Sequence, residues 1–117
     1  MARYCALIAG VTGVVGAALA RTLNAHPDWE VIGACRHPRN DTDYRVIGVD
    51  LLDAADCRDK LTAFPHITHI LYCARAAHTM AAKEPIEENV AMLRNVIDAA
   101  EKSATHLAHV HIVQGSK

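Results

Sequence analysis

Apolar and polar positions fall into alternating blocks with two different periods. Tyr4-Cys5-Ala6-Leu7-Ile8-Ala9 is a short unbroken apolar run, which predicts a buried strand at about 4–9. Ala17-Ala18-Leu19-Ala20-Arg21-Thr22-Leu23 then changes to helical spacing, predicting a helix at about 14–25. Pro27-Asp28 breaks the pattern, and Glu30 to Cys35 reads as strand two, with Trp29 just before it and expected to cover the sheet edge. Arg36 to Tyr44 is a polar loop, and Arg45 to Val49 is strand three. Asp53 is placed to cap a helix at 54–62, with Asp56 favouring its dipole and Pro65 closing the segment. Thr68 to Cys73 is strand four, and Ala74 to Pro85 is a loop of little periodicity. Ile86, Val90, Leu93, Ile97 and Ala100 form one stripe on a helix at 86–102, and Leu107 to Val113 is strand five. This alternation predicts an α/β domain over 1–117, with a parallel sheet in the order 3-2-1-4-5 and right-handed crossovers. A ligand is expected at the carboxyl ends of strands one and four, where the order reverses.

Composition narrows the class. The chain has 117 residues, 51% of them hydrophobic, and a formal net charge of −1, which argues for a soluble core and against a nucleic-acid binder. No apolar run is long enough to span a bilayer and no signal segment precedes strand one, so no membrane partner and a cytoplasmic location are expected. The cysteines at 5, 35, 57 and 73 form no CxxC pair, and Cys5, Cys35 and Cys73 read as small buried hydrophobes in strands. His109 and His111 share a strand face with His106 just before it, but no further ligand stands at metal spacing, so no metal is expected. Gly115-Ser116-Lys117 follows directly on strand five and leaves it an exposed edge, so the chain reads as the N-terminal part of a longer protein. That edge and the 86–102 helix are both candidate interfaces, and a homo-oligomer stays open.

Gly10-Val11-Thr12-Gly13-Val14-Val15-Gly16 joins strand one to the first helix. Gly10 permits the tight turn, Gly13 lets backbone N–H groups approach an anion, and Gly16 allows close packing of helix on strand. The helix start around Val14 and Val15 presents unpaired donors to a diphosphate. The motif therefore reads as a dinucleotide cradle, against the alternative of a purely structural turn.

Two further loops refine the cofactor. Arg36 follows strand two, with His37 and Arg39 close behind. A guanidinium there grips a 2′-phosphate, so NADP(H) is expected over NAD, the alternative being a solvated basic loop. Asp50 after strand three is placed to accept from the adenine amino group, with Leu51 packing beside the ring; Asp50 as a plain turn residue is the competing reading.

Together the glycine motif, Arg36, Asp50-Leu51, the strand-four end Tyr72-Cys73-Ala74 and the stretch Glu88 to Val96 resemble the extended short-chain dehydrogenase/reductase family. The glycine motif, Thr68-His69-Ile70-Leu71-Tyr72 and Val113-Gln114-Gly115-Ser116-Lys117 are similar to its progesterone 5β-reductase/iridoid synthase-like branch. The resemblance implies a Rossmann-type doubly wound sheet, incomplete at the C-terminus. It also implies NADPH across the strand ends and reduction of an enone or carbonyl in a small-molecule substrate. Lys117 matches the branch's catalytic lysine, Cys73, Ala74 and Arg75 line the cofactor, and Asn89 bonds a neighbouring strand's backbone. The partner tyrosine is not Tyr4, Tyr44 or Tyr72, so these 117 residues are expected to bind cofactor without turning over substrate. A non-catalytic NADP(H) sensor is the runner-up. An NAD-dependent epimerase/dehydratase is a third reading, against which Arg36 counts.

Overall fold

The computed structural model describes residues 3–38, 41–74 and 86–113. Among them the elements run β1 (Tyr4–Ala9), α1 (Val14–Asn24), β2 (Trp29–Cys35), β3 (Arg45–Gly48), α2 (Ala54–Leu61), β4 (His69–Tyr72), α3 (Ile86–Ser103) and β5 (His109–Ile112). The sheet order is β3-β2-β1-β4-β5, as the alternation predicted, and every pairing is parallel. It is a Rossmann-type sheet.

β1 is central, and its side chains alternate between two cores. Cys5, Leu7 and Ala9 join Cys57 and Leu61 of α2 and Met92, Val96, Ala99 and Ala100 of α3. Ala6 and Ile8 pack with Ala20, Leu19 and Leu23 of α1 on the opposite face. Burial on both faces is why β1 reads as a continuous apolar run rather than an alternating one. Thr68 extends β1's pairing ahead of β4: its Oγ1 accepts from Cys5 N at 2.9 Å and donates to Cys5 O at 3.1 Å.

Most predicted ends move by one or two residues, as fraying ends do. Two corrections have physical content. Trp29 is not ahead of β2 but opens it, opposite Tyr4. Its ring lies 4.9 Å from Tyr4 and 4.8 Å from His69, across the foot of the sheet rather than over its edge. The apolar stripe of α3 is also displaced. The buried residues are Met92, Val96, Ala99 and Ala100, while Ile86 and Val90 are exposed and Leu93 is partly buried. At 100° per residue the buried face sits roughly 90° round from the 86/90/93/97 part of that stripe and shares only Ala100 with it. The periodicity was real, but the buried face of α3 is the one that packs with α2 and joins the core shared with the sheet.

β5 is an edge with all four residues exposed. His69, His109 and His111 stack along it, with ring centroids 5.2 Å and 5.7 Å apart. Among the described residues no helix is long and apolar enough to cross a membrane.

Candidate functional site

The three motif glycines are required for different reasons. Gly10 has φ +83°, and a Cβ on it would stand 2.7 Å from Ala74 Cα and N. Glycine alone lets the turn off β1 pass against the end of β4. A Cβ on Gly16 would overlap Gly10 O, so α1 can start this close to the turn only with glycine there. At Gly13 the nearest protein atom is 3.5 Å away, an ordinary contact. Among the described residues nothing crowds a side chain at 13, so glycine there leaves the outward side of the turn open.

On that open side the backbone is under-satisfied. Gly13 N donates to Gly10 O at 3.1 Å and Ala17 N donates to Gly13 O at 2.9 Å. The N–H groups of Thr12, Val14, Val15 and Gly16 have no acceptor among the described residues. Gly13 caps α1 without a side-chain bond, and the first turn holds no acidic residue. Val14 is 89% exposed and Val15 48%. Unpaired amides, a positive helix end and no competing carboxylate make an anion cradle.

This cradle borders a cleft of about 500 Å³ at the carboxyl ends of the strands. Gly10, Thr12 and Gly13 line it from the turn, Arg36 and His37 from the end of β2, Asp50 and Leu51 from the end of β3, and Cys73 and Ala74 from the end of β4. Of the residues proposed from sequence, these nine line the cleft; Val14, Val15 and Gly16 follow in the helix start without lining it, and Arg39, Arg75 and Lys117 lie outside the described residues. Cys73 falls just past β4 instead of within it, half-buried, and burial pushes its thiol up. Cys35 closes β2 beneath Arg36; burial raises its thiol and the His37 N–H pulls it partly back. Arg36 is exposed and makes no ion pair or hydrogen bond among the described residues, which leaves its guanidinium for a ligand.

The β3 exit is built tightly. Asp50 Oδ1 accepts from Leu52 N at 3.0 Å, and Asp50 O accepts from Asp53 N at 3.0 Å. Asp53 is the cap expected of it, accepting from Ala55 N at 3.0 Å and Asp56 N at 3.2 Å. The Leu51 side chain belongs to the core below, while Leu52, 42% exposed, faces outward at the same cleft. Leu52, Val49 and Met92 also line the cleft and were not singled out from sequence. Asn95 was missed too: its Nδ2 donates to Leu51 O at 2.8 Å, from 44 residues away in sequence. Its presence within the Glu88 to Val96 stretch was the only sequence signal near it.

None of the described tyrosines stands in the cleft. Tyr72 is buried in the core with its hydroxyl unpartnered, and burial pushes it up to about 12. Tyr44 lines a separate cavity of about 570 Å³ between α1 and the 41–46 segment, which holds neither Gly10 nor Arg36. At the opposite end of the sheet Cys5, Glu30 and His66 bring donor atoms within 4.8 Å of one another. There His66 Nε2 pairs with Glu30 Oε1 at 3.1 Å, and the Cys5 thiol is pushed up to about 12 by burial and by Glu30.

The fold and this cleft define a nicotinamide dinucleotide-binding domain of the short-chain dehydrogenase/reductase type. Residues 6–116 match the NAD dependent epimerase/dehydratase family, and the chain belongs to it. It is 36% identical over 120 residues to (S)-8-oxocitronellyl enol synthase of Nepeta cataria, and 38% identical over 120 residues to 3-oxo-Delta(4,5)-steroid 5-beta-reductase of Arabidopsis thaliana. Each match covers 96% of this chain and 31% of the relative, so the chain spans about a third of the length of the curated relatives it matches. Among solved structures, Gre2 from Candida albicans superposes with a TM-score of 0.74 at 20% identity, over 93% of this chain and 35% of that one. The ADP-L-glycero-D-manno-heptose-6-epimerase of Helicobacter pylori gives 0.74 at 20%, over 97% and 40%. These last two show the fold alone.

Proposed function

We propose that residues 1–117 form the NADP(H)-binding domain of a reductase acting on an enone or carbonyl of a small molecule. The observation that carries this is the cleft itself. Unpaired amides of the 12–16 turn and an Arg36 without a hydrogen bond or ion pair among the described residues border one cavity. The amides hold the diphosphate, and Arg36 with His37 recognises the 2′-phosphate. At the third wall, the Leu51 N–H has no acceptor among the described residues and Asp50 keeps one carboxylate oxygen unengaged there. A donor beside an acceptor matches the N1 and amino group of adenine. When bound, the cofactor supplies a hydride equivalent.

The name of the Arabidopsis thaliana relative, a 5-beta-reductase, supports a reductase reading, and Lys117 is proposed as the lysine near the nicotinamide ribose by its place in the resemblance. Arg39 and Arg75 are assigned to the same cofactor on the same ground. With no tyrosine in the cleft among the described residues, this segment binds without turnover. Arg36 where a carboxylate would favour NAD is what sets this reading above an NAD-dependent epimerase. Calorimetric titration of NADPH and NADH against the parent and Arg36→Asp tests it. NADPH binds the parent more tightly, and the variant loses that preference; tighter NADH binding by the parent overturns the assignment.

A further inference from the structure

One wall of the cleft is the two-residue span Asp50–Leu51, which belongs to no strand or helix. It is held from behind by side chains of two helices. Asp56 Oδ2 accepts from Asp50 N at 2.8 Å. Asn95 Nδ2 donates to Leu51 O at 2.8 Å. Cys57 Sγ lies 3.7 Å from Asp50 O and 3.9 Å from Leu51 O. Lys60 Nζ ties the clamp to the sheet, reaching Gly48 O at 3.0 Å and Asp56 Oδ1 at 3.1 Å.

This bracket engages the polar backbone atoms of the span selectively. Asp50 N, Asp50 O and Leu51 O are engaged, whereas Leu51 N and one Asp50 carboxylate oxygen are left over among the described residues. An asparagine inside α3 is a poor helix former, and its amide makes no bond of its own helix here. Its contribution is the long-range bond. Fixing Leu51 O fixes the peptide plane one residue on, and the bond at Asp50 N fixes the plane before it.

We infer that Asn95, supported by Asp56 and Cys57, is a positioning residue that holds the Leu51 N–H and the Asp50 carboxylate in register for the edge of adenine. This rests on reading the cleft as a dinucleotide site. Hypoxanthine is the discriminating ligand, because it carries an acceptor where adenine has its amino group and an N–H where adenine has N1. Both bonds then turn into like-against-like contacts.

The test measures affinities of the purified full-length protein for NADPH and for reduced nicotinamide hypoxanthine dinucleotide phosphate, by calorimetry. The parent prefers NADPH by at least about tenfold, the loss expected when groups at a polar contact are left unpaired. Asn95→Leu, close in volume but without a donor, weakens NADPH about tenfold and leaves the hypoxanthine analogue nearly unchanged, so the preference collapses towards one. Asp56→Ala, on the α2 surface, gives the same collapse and serves if Asn95→Leu does not fold. An unchanged preference in both variants, or equal weakening of both nucleotides, overturns the role of Asn95. A parent that binds both nucleotides equally overturns the adenine register. A parent that binds neither overturns the dinucleotide reading beneath it.

Discussion

Alanine at Gly13 weakens the proposed dinucleotide binding and spares the fold, whereas alanine at Gly10 destabilises the fold. The two differ only in what surrounds the added methyl. At Gly10 the Cβ stands 2.7 Å from Ala74 Cα and N and 2.8 Å from Cys73 C, all backbone atoms that cannot rotate aside. The backbone there has φ +83°, a conformation costing a residue with a Cβ about 1–2 kcal/mol. Overpacking against the β4 end adds about 1–3 kcal/mol, so a loss of about 3 kcal/mol is expected. At Gly13 the φ of −75° and ψ of 169° suit any residue, and the nearest atom is 3.5 Å off. The fold then loses only the helix-cap preference of glycine over alanine, about 1 kcal/mol or less. On the proposed reading the methyl instead occupies the space through which phosphate would reach the 12–16 amides. Losing one hydrogen bond to a charged group is worth about 1.5–3 kcal/mol, or roughly 10- to 100-fold in affinity. Urea unfolding followed by the single tryptophan, Trp29, measures the first quantity, and NADPH calorimetry the second. Equal destabilisation by the two alanines, or parental NADPH affinity in Gly13→Ala, would refute the reasoning.

Other expectations are independent of the cofactor. Asp53→Ala removes the cap bonds to Ala55 N and Asp56 N and lowers stability by about 1 kcal/mol, read as a shift in urea midpoint; no shift means α2 does not depend on that cap. The His69 imidazole sits below its ordinary value of 6.5, through burial first and then His109 and His111. Its folded form resists protonation, so stability present above 6.5 is lost as the pH falls from 6.5 towards the depressed value. NMR titration should place His69 below 6.5 and move it up in His109→Asn; a titration at or above 6.5 contradicts the stacked arrangement. Cys57 is fully buried, with its thiol pushed up to about 11 by burial and by Asp56, Asp50 and Asp53. It should resist iodoacetamide in the native protein at pH 8 and react at once in urea, and rapid native labelling at Cys57 by mass spectrometry would count against the packing of α2.

Much of this fold is local in origin and so was visible along the chain. An apolar run with burial on both faces, a glycine turn and a helical repeat are properties of neighbouring residues. Gly10, Gly13 and Gly16, the Asp53 cap and the 3-2-1-4-5 order follow from such properties and from the handedness of parallel crossovers. The candidate site was legible wherever a residue lies at a strand's carboxyl end, because the topology collects those ends in one cleft. Arg36, Asp50 and Ala74 were found that way.

What stayed hidden depends on residues far apart in the chain. The buried face of α3 was decided by its packing with α2 and the shared core, so Met92 and Val96 are buried where Ile86 and Val90 were expected. Trp29 entered β2 because Tyr4 and His69, from two other strands, supply its ring contacts. Asn95 holds Leu51 across 44 residues, and no local period marks it. The chain by itself determined which elements form and which strand ends line the candidate cleft, since backbone preference and amphipathic period act between near neighbours. Only the tertiary structure decided which side chains brace the site, because such a contact exists only after the elements have packed.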